Sequence, residues 1–423
     1  MKFHAAHAYV GGRVEQDVLI DIVDGRFASI APGSPRGDAN KLPGLVLPGF
    51  ANIHSHAFHR ALRGRTHSGR GSFWTWREQM YAVAGALEPD SYHRLARAVF
   101  GEMAMAGITA VGEFHYLHHA PDGGHYDDPN AMGHAVVAAA AEAGIRITLL
   151  DTLYLTSDVQ GSPLEGVQRR FGDGDLDGWS ARTDRLRAEP HSRIGAALHS
   201  VRAVPAKHLS TFAHRTDGLP VHLHLSEQRA ENEQCQAVHG CSPAELLDAH
   251  GVWQPMTVAV HATHLSEQDV DILSDQRVCF CPTTERDLAD GIGPARSLDR
   301  LSLGSDSHAV IDFFEEMRGV EMNERLATER RGHFTVAELL AAATDHAAIG
   351  WHDAGEIAVG RRADLVALSL DSVRTAGADP EQAILAATTA DITTVIADGR
   401  MIVGDGRHLS LDVAAELRAA IPA

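Results

Sequence analysis

The chain has 423 residues, of which 44% are hydrophobic, and a formal net charge of −19. This length suits one large α/β barrel with additions, and the hydrophobic share is sufficient for a large buried core. Because the acidic excess leaves no basic surplus to meet phosphate groups, the composition argues against a nucleic-acid partner and against an anionic membrane surface. An anionic small molecule remains compatible, since its recognition needs only local arginines.

The cysteine content and the absence of long apolar runs indicate the compartment. Four cysteines are few for this length and predict reduced thiols rather than a disulfide framework. The first residues lack the apolar segment of a signal peptide, and no apolar run is long enough to predict a membrane span. We therefore expect a cytoplasmic protein.

The two ends of the chain share a pattern of short apolar runs separated by turn residues. An Asp-Gly pair follows residues 18–23, and another interrupts residues 395–403. Pairs of this type connect the strands of β-hairpins. We predict that residues 1–46 and 356–423 form one small β-sheet domain, and that residues 47–355 form a second domain.

The middle of the chain alternates between apolar β-type runs and alanine-rich segments of helical periodicity. Near-continuous apolar character is typical of parallel strands that are covered on both faces. Eight such runs, separated by helical segments, predict an α/β fold of the (β/α)8 TIM-like barrel type. The predicted strands are residues 44–53, 108–115, 146–155, 194–201, 221–225, 257–261, 277–281 and 301–304.

Polar residues follow the ends of successive predicted strands. In a (β/α)8 barrel the C-terminal ends of all strands meet at one face, where active sites form. The sequence therefore predicts a catalytic mouth at this face. Its residues, in strand order, are His54, His56, Glu113, His115, Tyr116, His199, Arg202, His222, His224, Glu227, His261, His264 and Asp306.

His54 and His56 predict a metal centre. Residues i and i+2 of a strand point to the same side, so both imidazoles can reach one metal ion. A catalytic zinc ion takes three or four nitrogen and oxygen ligands, and Asp306 with one histidine of the fifth strand would complete the set. His222 and His224 share parity, and we favour His224 because it lies nearer the C-terminal end of the strand.

This arrangement resembles the amidohydrolase superfamily, and within it the branch that contains cytosine and guanine deaminases. The shared features are the His-x-His pair after the first strand, the histidines that end the fifth and sixth strands, and the aspartate that ends the eighth. Two of the matching segments, FWTWRE and ALHSVR, are further similar to members that act on N-formimino-L-glutamate. The matching segments are HSHAFHRA (54–61), FWTWRE (73–78), GEFHY (112–116), ALHSVR (197–202), HLHLSEQ (222–228), CPTTE (281–285) and GSDSH (304–308).

The resemblance implies a small β-sandwich built from the terminal segments, one Zn²⁺ per subunit with Fe²⁺ as the alternative, and a homodimer. A second metal ion would call for a bridging lysine or glutamate near the end of the fourth strand, where His199 and Arg202 stand instead. The implied reaction converts N-formimino-L-glutamate, a dicarboxylate, and water to N-formyl-L-glutamate and ammonia in histidine degradation.

The residue types at the mouth fit this implied chemistry. Asp306 is placed as ligand and as base for an activated water. Glu227 can return a proton to the departing nitrogen, and His261 can hydrogen-bond the attacking oxygen. Arg77 and Arg202 are the implied partners of the two carboxylates, because a guanidinium pairs with a carboxylate through two hydrogen bonds. The implied hydrogen-bonding residues beside them are His59, Tyr116 and His199.

His59 occupies a position at which the resemblance leads us to expect glutamine. An imidazole can carry a charge near neutral pH, which an amide cannot, but it can still donate a hydrogen bond to a carboxylate. This departure bears on the identity of the substrate rather than on the metal chemistry.

Other interpretations of the same residues remain open. Without the resemblance, Arg77 is a surface arginine and Glu227 is a carboxylate at a helix N-terminus. A related aminohydrolase of purine, pyrimidine or triazine rings would use aromatic contacts, for which Trp74 and Trp76 are the only support. A catalytically inactive barrel that serves as an assembly partner would show substituted metal positions, and here they are intact.

Overall fold

Two eight-stranded sheets organise the chain: a mixed sheet built from both termini and a parallel sheet built from the middle. The computed structural model describes residues 1–66 and 73–421, with side chains from residue 75 onward in the second range. The predicted α/β class, the eight-stranded barrel and the joining of the termini are confirmed. In chain order the strands are β1 (Lys2–Val10), β2 (Arg13–Val23), β3 (Arg26–Ala31), β4 (Asn40–Pro48), β5 (Phe50–Ser55), β6 (Ile108–His115), β7 (Arg146–Leu153), β8 (Ser192–Leu198), β9 (Val221–Leu225), β10 (Thr257–His261), β11 (Arg277–Phe280), β12 (Arg300–Leu303), β13 (Leu365–Leu368), β14 (Ile392–Ala397), β15 (Arg400–Gly404) and β16 (Arg407–His408).

The terminal sheet has two buried faces. Its strands are hydrogen-bonded in the order β16-β15-β14-β13-β4-β1-β2-β3. Successive side chains point to opposite faces of a strand. On β13, Leu365 and Ala367 join an apolar cluster of the terminal segments, whereas Val366 and Leu368 belong to the core of the barrel. One face therefore packs against the barrel, and the other has a core of its own. The predicted division into two domains at residues 46–47 and 355–356 stays a prediction.

Helices cover the barrel strands. Two of the alanine-rich segments of the middle region are helices: residues 131–143 form α3, and residues 92–105 lie within α2. No helix in the described part of the chain combines the length and apolar character needed to span a membrane. The helices are α1 (Phe73–Ala86), α2 (Pro89–Met105), α3 (Ala131–Ala143), α4 (Leu176–Thr183), α5 (Ala206–Arg215), α6 (Arg229–His239), α7 (Pro243–Ala249), α8 (Glu267–Leu273), α9 (Pro282–Asp287), α10 (Phe313–Thr328), α11 (Val336–Ala343) and α12 (Val413–Ala420).

The predicted first strand, residues 44–53, is wrong as a single element. The structure divides it, because β4 ends at Pro48 in the terminal sheet and β5 begins at Phe50 in the barrel. Gly49 makes the passage between the sheets, where a Cβ would lie 2.6 Å from Thr109 Cγ2 and 2.8 Å from Asp364 Cβ. An uninterrupted apolar run therefore concealed a change of sheet that depends on one glycine.

Backbone hydrogen bonds between the first and last barrel strands close the barrel. The N–H groups of Ser305 and Asp306 donate to the carbonyl of His54 at 3.2 and 3.0 Å, and the N–H of His56 donates to the carbonyl of Asp306 at 3.2 Å. Gly304 permits this approach, because a Cβ there would lie 2.9 Å from the Cβ of His54. The closure places Asp306 beside the two histidines at the C-terminal end of the barrel.

A buried polar contact joins the barrel to the terminal sheet at Arg146, which begins β7. Arg146 Nη1 donates to Asp364 Oδ1 at 3.1 Å, and Nη2 donates to His346 Nδ1 at 3.4 Å. His346 Nε2 donates to the carbonyl of Gly49 at 3.0 Å, so the imidazole needs one proton only. Burial and the Arg146 cation lower the pKa of His346 to about 4.

We expect His346→Gln to weaken the pH dependence of stability between pH 4 and 6.5. In this interval the unfolded chain protonates the imidazole while the folded protein keeps it neutral, so the free energy of unfolding falls as the pH decreases. From pH 7 to pH 4 the wild type should lose up to about 3 kcal/mol more than the variant, as measured by urea unfolding. His214→Gln, at an exposed position, should keep the wild-type pH dependence, and the same dependence in His346→Gln would contradict this account.

Candidate active site

The proposed histidine ligands are buried, and backbone carbonyls orient two of them. His56, directly after β5, donates from Nδ1 to the carbonyl of Phe114 at 2.9 Å. His224 of β9 donates from Nδ1 to the carbonyl of His199 at 3.0 Å. These bonds place the proton on Nδ1 and leave the Nε2 lone pair of each ring for another partner. His222, two residues earlier on β9, is instead hydrogen-bonded through Nε2 to the carbonyl of Ala348 at 3.1 Å.

The two Nε2 atoms oriented in this way face each other without a proton between them. His56 Nε2 lies 3.3 Å from His224 Nε2. Burial and the neighbouring His54 lower the pKa of His56 to about 3 and also lower the pKa of His224, so both rings are neutral near pH 7. Two lone pairs at this distance repel each other unless a cation lies between them. The donor set therefore fits a bound metal ion.

The spacing of the ligand atoms supports the same conclusion once Asp306 is included. His54 Nε2 lies 3.2 Å from His224 Nε2. Asp306 Oδ1 lies 3.3 Å from His54 Nε2 and 3.4 Å from His56 Nε2. A tetrahedral site with bonds of about 2.0–2.1 Å has ligand–ligand edges of about 3.3–3.4 Å. The four measured separations among the predicted ligands thus match those of one tetrahedral metal site.

His261, at the end of β10, stands among carboxylates. Its Nε2 lies 3.8 Å from both Glu227 Oε1 and Asp306 Oδ2, and its Nδ1 lies 3.5 Å from Glu285 Oε1. Burial favours the neutral ring, but these carboxylates outweigh it and raise the pKa of His261 well above its usual value. Burial in turn raises the pKa of Glu227. His261 and Glu227 are therefore suited to hold and exchange a proton beside the ligand set.

Strained backbone marks the same strand ends. Ser226, His261 and Asp306 have φ values of +48°, +71° and +40°, which place non-glycine residues in the left-handed region. Such conformations cost about 1–3 kcal/mol each and persist where the surroundings fix them, often at functional sites. Three of them at one mouth point to a geometry maintained for function.

A pocket opens beside the ligand set, and all five predicted substrate-binding residues line it. Trp76 lines it as well, with its ring centroid 5.1 Å from that of His59. The side chain of Trp74 lies outside the described residues. The lining residues are His56, His59, Trp76, Arg77, Met80, Tyr81, Tyr116, Tyr154, Phe171, His199, Arg202, His224, Glu227, His261, Leu288 and Asp306.

The two arginines of the pocket are held by different partners. Arg77 of α1 donates from Nε to the hydroxyl of Tyr81 at 2.6 Å. Arg202, which follows β8, donates from Nε to Glu231 Oε2 at 2.7 Å, and its Nη2 lies 3.8 Å from Glu227 Oε2. A hydrogen bond from Nε to another side chain therefore orients each guanidinium group.

The sequence interpretation missed several residues that shape the pocket. The segment 157–178, which has no clear periodicity, contains Gln168, and Gln168 donates to the hydroxyl of Tyr81 at 3.1 Å. Phe171, from the same segment, lines the pocket. Tyr81 lies four residues after Arg77 on α1, and this helical spacing was the one available signal for their contact. The contact with Gln168 joins segments 87 residues apart and has no local signal.

Glu113 lies behind the first pair of proposed ligands. Its carboxylate accepts hydrogen bonds from Ser55 Oγ at 2.5 Å and from the N–H of Ala57 at 2.6 Å. Burial raises the pKa of Glu113 to about 8, despite these two opposing bonds. Glu113 thus binds the Ser55 hydroxyl and the Ala57 backbone, one on each side of His56, a role that its place at the end of a strand could not reveal.

Comparison with known proteins agrees with this geometry. Residues 45–402 match the amidohydrolase family. The chain belongs to the amidohydrolase family. It is 37% identical to the formimidoylglutamate deiminase of Pseudomonas aeruginosa, with 91% of this chain and 90% of that protein covered. It is 28% identical to the 5'-deoxyadenosine deaminase of Methanothermobacter thermautotrophicus, with 94% and 91% covered. The crystal structure of an amidohydrolase from Brucella melitensis has a TM-score of 0.89 and 29% identity, with 99% of this chain and 98% of that chain covered.

Among the described residues of this amidohydrolase, the side-chain groups that could hold a metal ion lie at one place. Two overlapping sets of three buried side chains have ligand atoms within 4.8 Å of one another: His54 with His224 and His261, and His54 with His56 and Asp306. Because both sets share His54, they describe one centre with His261 at its border.

We expect Asp306→Asn to lower the affinity of this amidohydrolase for zinc by about 10–100-fold, because the variant replaces an anionic ligand with a neutral one. Competition with a chromophoric chelator, followed by metal analysis of the recovered protein, measures the affinity without reference to any substrate. Asp299→Asn, at an exposed position before β12, is the matched control. An unchanged zinc affinity in Asp306→Asn would exclude Asp306 from the ligand set.

Proposed function

We propose that the protein hydrolyses N-formimino-L-glutamate to N-formyl-L-glutamate and ammonia, as a step of histidine degradation. The observation that carries the proposal is one pocket in which a metal-ligand set adjoins two oriented arginines, Arg77 and Arg202. A metal centre suits hydrolysis of a C=N bond, and two arginines suit a dicarboxylate. The similarity to the formimidoylglutamate deiminase of Pseudomonas aeruginosa supports the same substrate.

The proposed cofactor is one Zn²⁺ per subunit, held by His54, His56, His224 and Asp306, with Fe²⁺ as the alternative. Three imidazoles and one carboxylate are donors that zinc prefers. When bound, a divalent ion lowers the pKa of a coordinated water toward neutrality.

The remaining chemistry is proton transfer by side chains of the mouth. The C=N carbon gains the water oxygen, and both water protons end on the departing nitrogen, which leaves as ammonia. Asp306 accepts the first proton, and Glu227, whose pKa is raised by burial, carries a proton to the nitrogen. His261 lies 3.8 Å from each of these carboxylates and donates a hydrogen bond to the attacking oxygen.

Recognition of the two carboxylates is assigned to Arg77 and Arg202, with His199 and Tyr116 as hydrogen-bonding residues. His59 replaces the expected glutamine without adding a charge, because burial and the neighbouring His56 lower its pKa well below the usual value. Its Nε2 lies 2.8 Å from the hydroxyl of Tyr116. A neutral imidazole in this place can support the tyrosine as an amide would.

A second candidate is an aminohydrolase of a purine, pyrimidine or triazine ring. The aromatic side chains of Trp76, Tyr154 and Phe171 in the pocket wall favour it, because aromatic faces stack on planar rings. The 5'-deoxyadenosine deaminase similarity is compatible with it. The two arginines argue against it, since a neutral ring offers no carboxylates for two guanidinium groups to bind.

Several expectations belong to the proposal. We propose a homodimer in the cytoplasm, without a nucleic-acid or membrane partner. The four cysteines are unpaired, which agrees with a reducing compartment.

The purified protein is expected to release ammonia from N-formimino-L-glutamate and not from guanine or cytosine. Arg202→Met should raise KM about 10–100-fold with zinc content unchanged, because a charge-assisted contact to the substrate is lost. Arg229→Met, at an exposed position at the start of α6, should behave as the wild type. Turnover of a ring substrate instead would contradict the assignment while leaving the metal centre in place.

A further inference from the structure

We infer that Glu231 is a positioning residue that joins the carboxylate-binding arginine to the turn that carries Glu227. The inference rests on the proposed function for the roles of Arg202 and Glu227. The positioning role of Glu231 depends only on contacts within the chain. The positioning role and the proposed function can therefore fail separately.

Glu231 uses each of its carboxylate oxygens for a different part of the mouth. Oε2 accepts a hydrogen bond from Arg202 Nε at 2.7 Å. Oε1 accepts one from the N–H of Ser226 at 2.9 Å. The residue is 1% exposed, so solvent offers no replacement for either bond. Arg202 comes from the segment after β8 and Ser226 from the end of β9, so one carboxylate fixes two neighbouring strand ends together.

The Ser226 bond maintains a strained turn. Ser226 has φ +48° and directly precedes Glu227. Its carbonyl accepts a hydrogen bond from the N–H of His264 at 3.0 Å. On the other side of Glu227, the side-chain amide of Gln228 donates to Asp290 Oδ1. Glu227 therefore projects from a turn held on both sides, and Glu231 supplies the bond to the strained residue.

The Arg202 bond determines which partner the guanidinium takes. While Nε is bound to Glu231, Nη2 stays 3.8 Å from Glu227 Oε2, beyond hydrogen-bond distance. Without the Glu231 charge, Glu227 is the nearest carboxylate to the partly buried Arg202 cation, and a direct ion pair between them is favoured. Arg202 would then hold the Glu227 carboxylate, which would no longer be available for proton transfer. The Arg202 guanidinium would also be turned away from the substrate.

Glutamine at position 231 cannot replace both functions. An amide has one accepting oxygen and one NH₂ group, so it must place a donor against either the Arg202 Nε–H or the Ser226 N–H. Aspartate keeps both oxygens and the charge but is one methylene shorter. These two variants separate the role of the Glu231 carboxylate charge from the role of its side-chain length.

The experiment compares Glu231→Gln and Glu231→Asp with Glu233→Gln, an exposed change of the same type on α6. With N-formimino-L-glutamate, Glu231→Gln should raise KM and lower kcat, so that kcat/KM falls about 100-fold, while zinc content stays at the wild-type level. Glu231→Asp should recover part of this loss, and Glu233→Gln should match the wild type. In an Arg202→Met background, Glu231→Gln should raise KM no further, because its effect on KM acts through Arg202.

Crystal structures of Glu231→Gln and the wild type give a readout that does not depend on the substrate. We expect Arg202 Nη2 to move within hydrogen-bond distance of Glu227, or the backbone at Ser226 to leave the left-handed region. If both stay in place, or if Glu231→Gln has the kinetics of Glu233→Gln, the positioning role is wrong. If the wild type releases no ammonia from N-formimino-L-glutamate, the proposed function fails, while the structures still decide the role of Glu231. If Glu231→Gln does not fold, the same measurements are made on Glu231→Asp. A wild-type KM and an unmoved Arg202 in that variant would contradict the inference.

Discussion

Closure of the barrel is the constraint on which the site depends. Asp306 lies about 250 residues after His54 in the sequence, yet its backbone N–H donates to the His54 carbonyl at 3.0 Å. The close approach requires Gly304, where any side chain would collide with β5. An open sheet would leave the first and last strands on opposite edges and the ligands on separate surfaces. Hydrogen bonding of the two strand ends is therefore what turns separate polar residues into one ligand set.

The proposed metal ligands and the proposed substrate-binding residues depend on the same segments of backbone. The carbonyl that orients His56 belongs to Phe114, two residues before Tyr116. The carbonyl that orients His224 belongs to His199, three residues before Arg202. A displacement of either segment would move a proposed ligand and a proposed substrate contact together. This coupling would keep the proposed ligands, proton-transfer groups and arginines in a fixed arrangement around one pocket.

Much of this could be predicted from the sequence because buried parallel strands leave a strong pattern. Near-continuous apolar runs identified the barrel strands. The period of two left His222 and His224 as the alternatives for the ligand on the fifth strand, and the position nearer the C-terminal end of the strand favoured His224. The run at residues 44–53 was misread because a glycine that changes sheets looks like any other glycine. Glu231 carried no signal either, since an acidic residue in the first turn of a helix has an ordinary explanation in the helix dipole. Contacts such as that of Gln168 with Tyr81 are properties of the folded chain and not of any local pattern.

The most direct test of the account is a crystal structure of the zinc-loaded protein with N-formyl-L-glutamate, with anomalous scattering recorded at the zinc edge. The account predicts one anomalous peak among His54, His56, His224 and Asp306, with the two carboxylates of the ligand bound at Arg77 and Arg202. Two metal peaks, a peak away from these residues, or a ligand whose carboxylates avoid both arginines would contradict it.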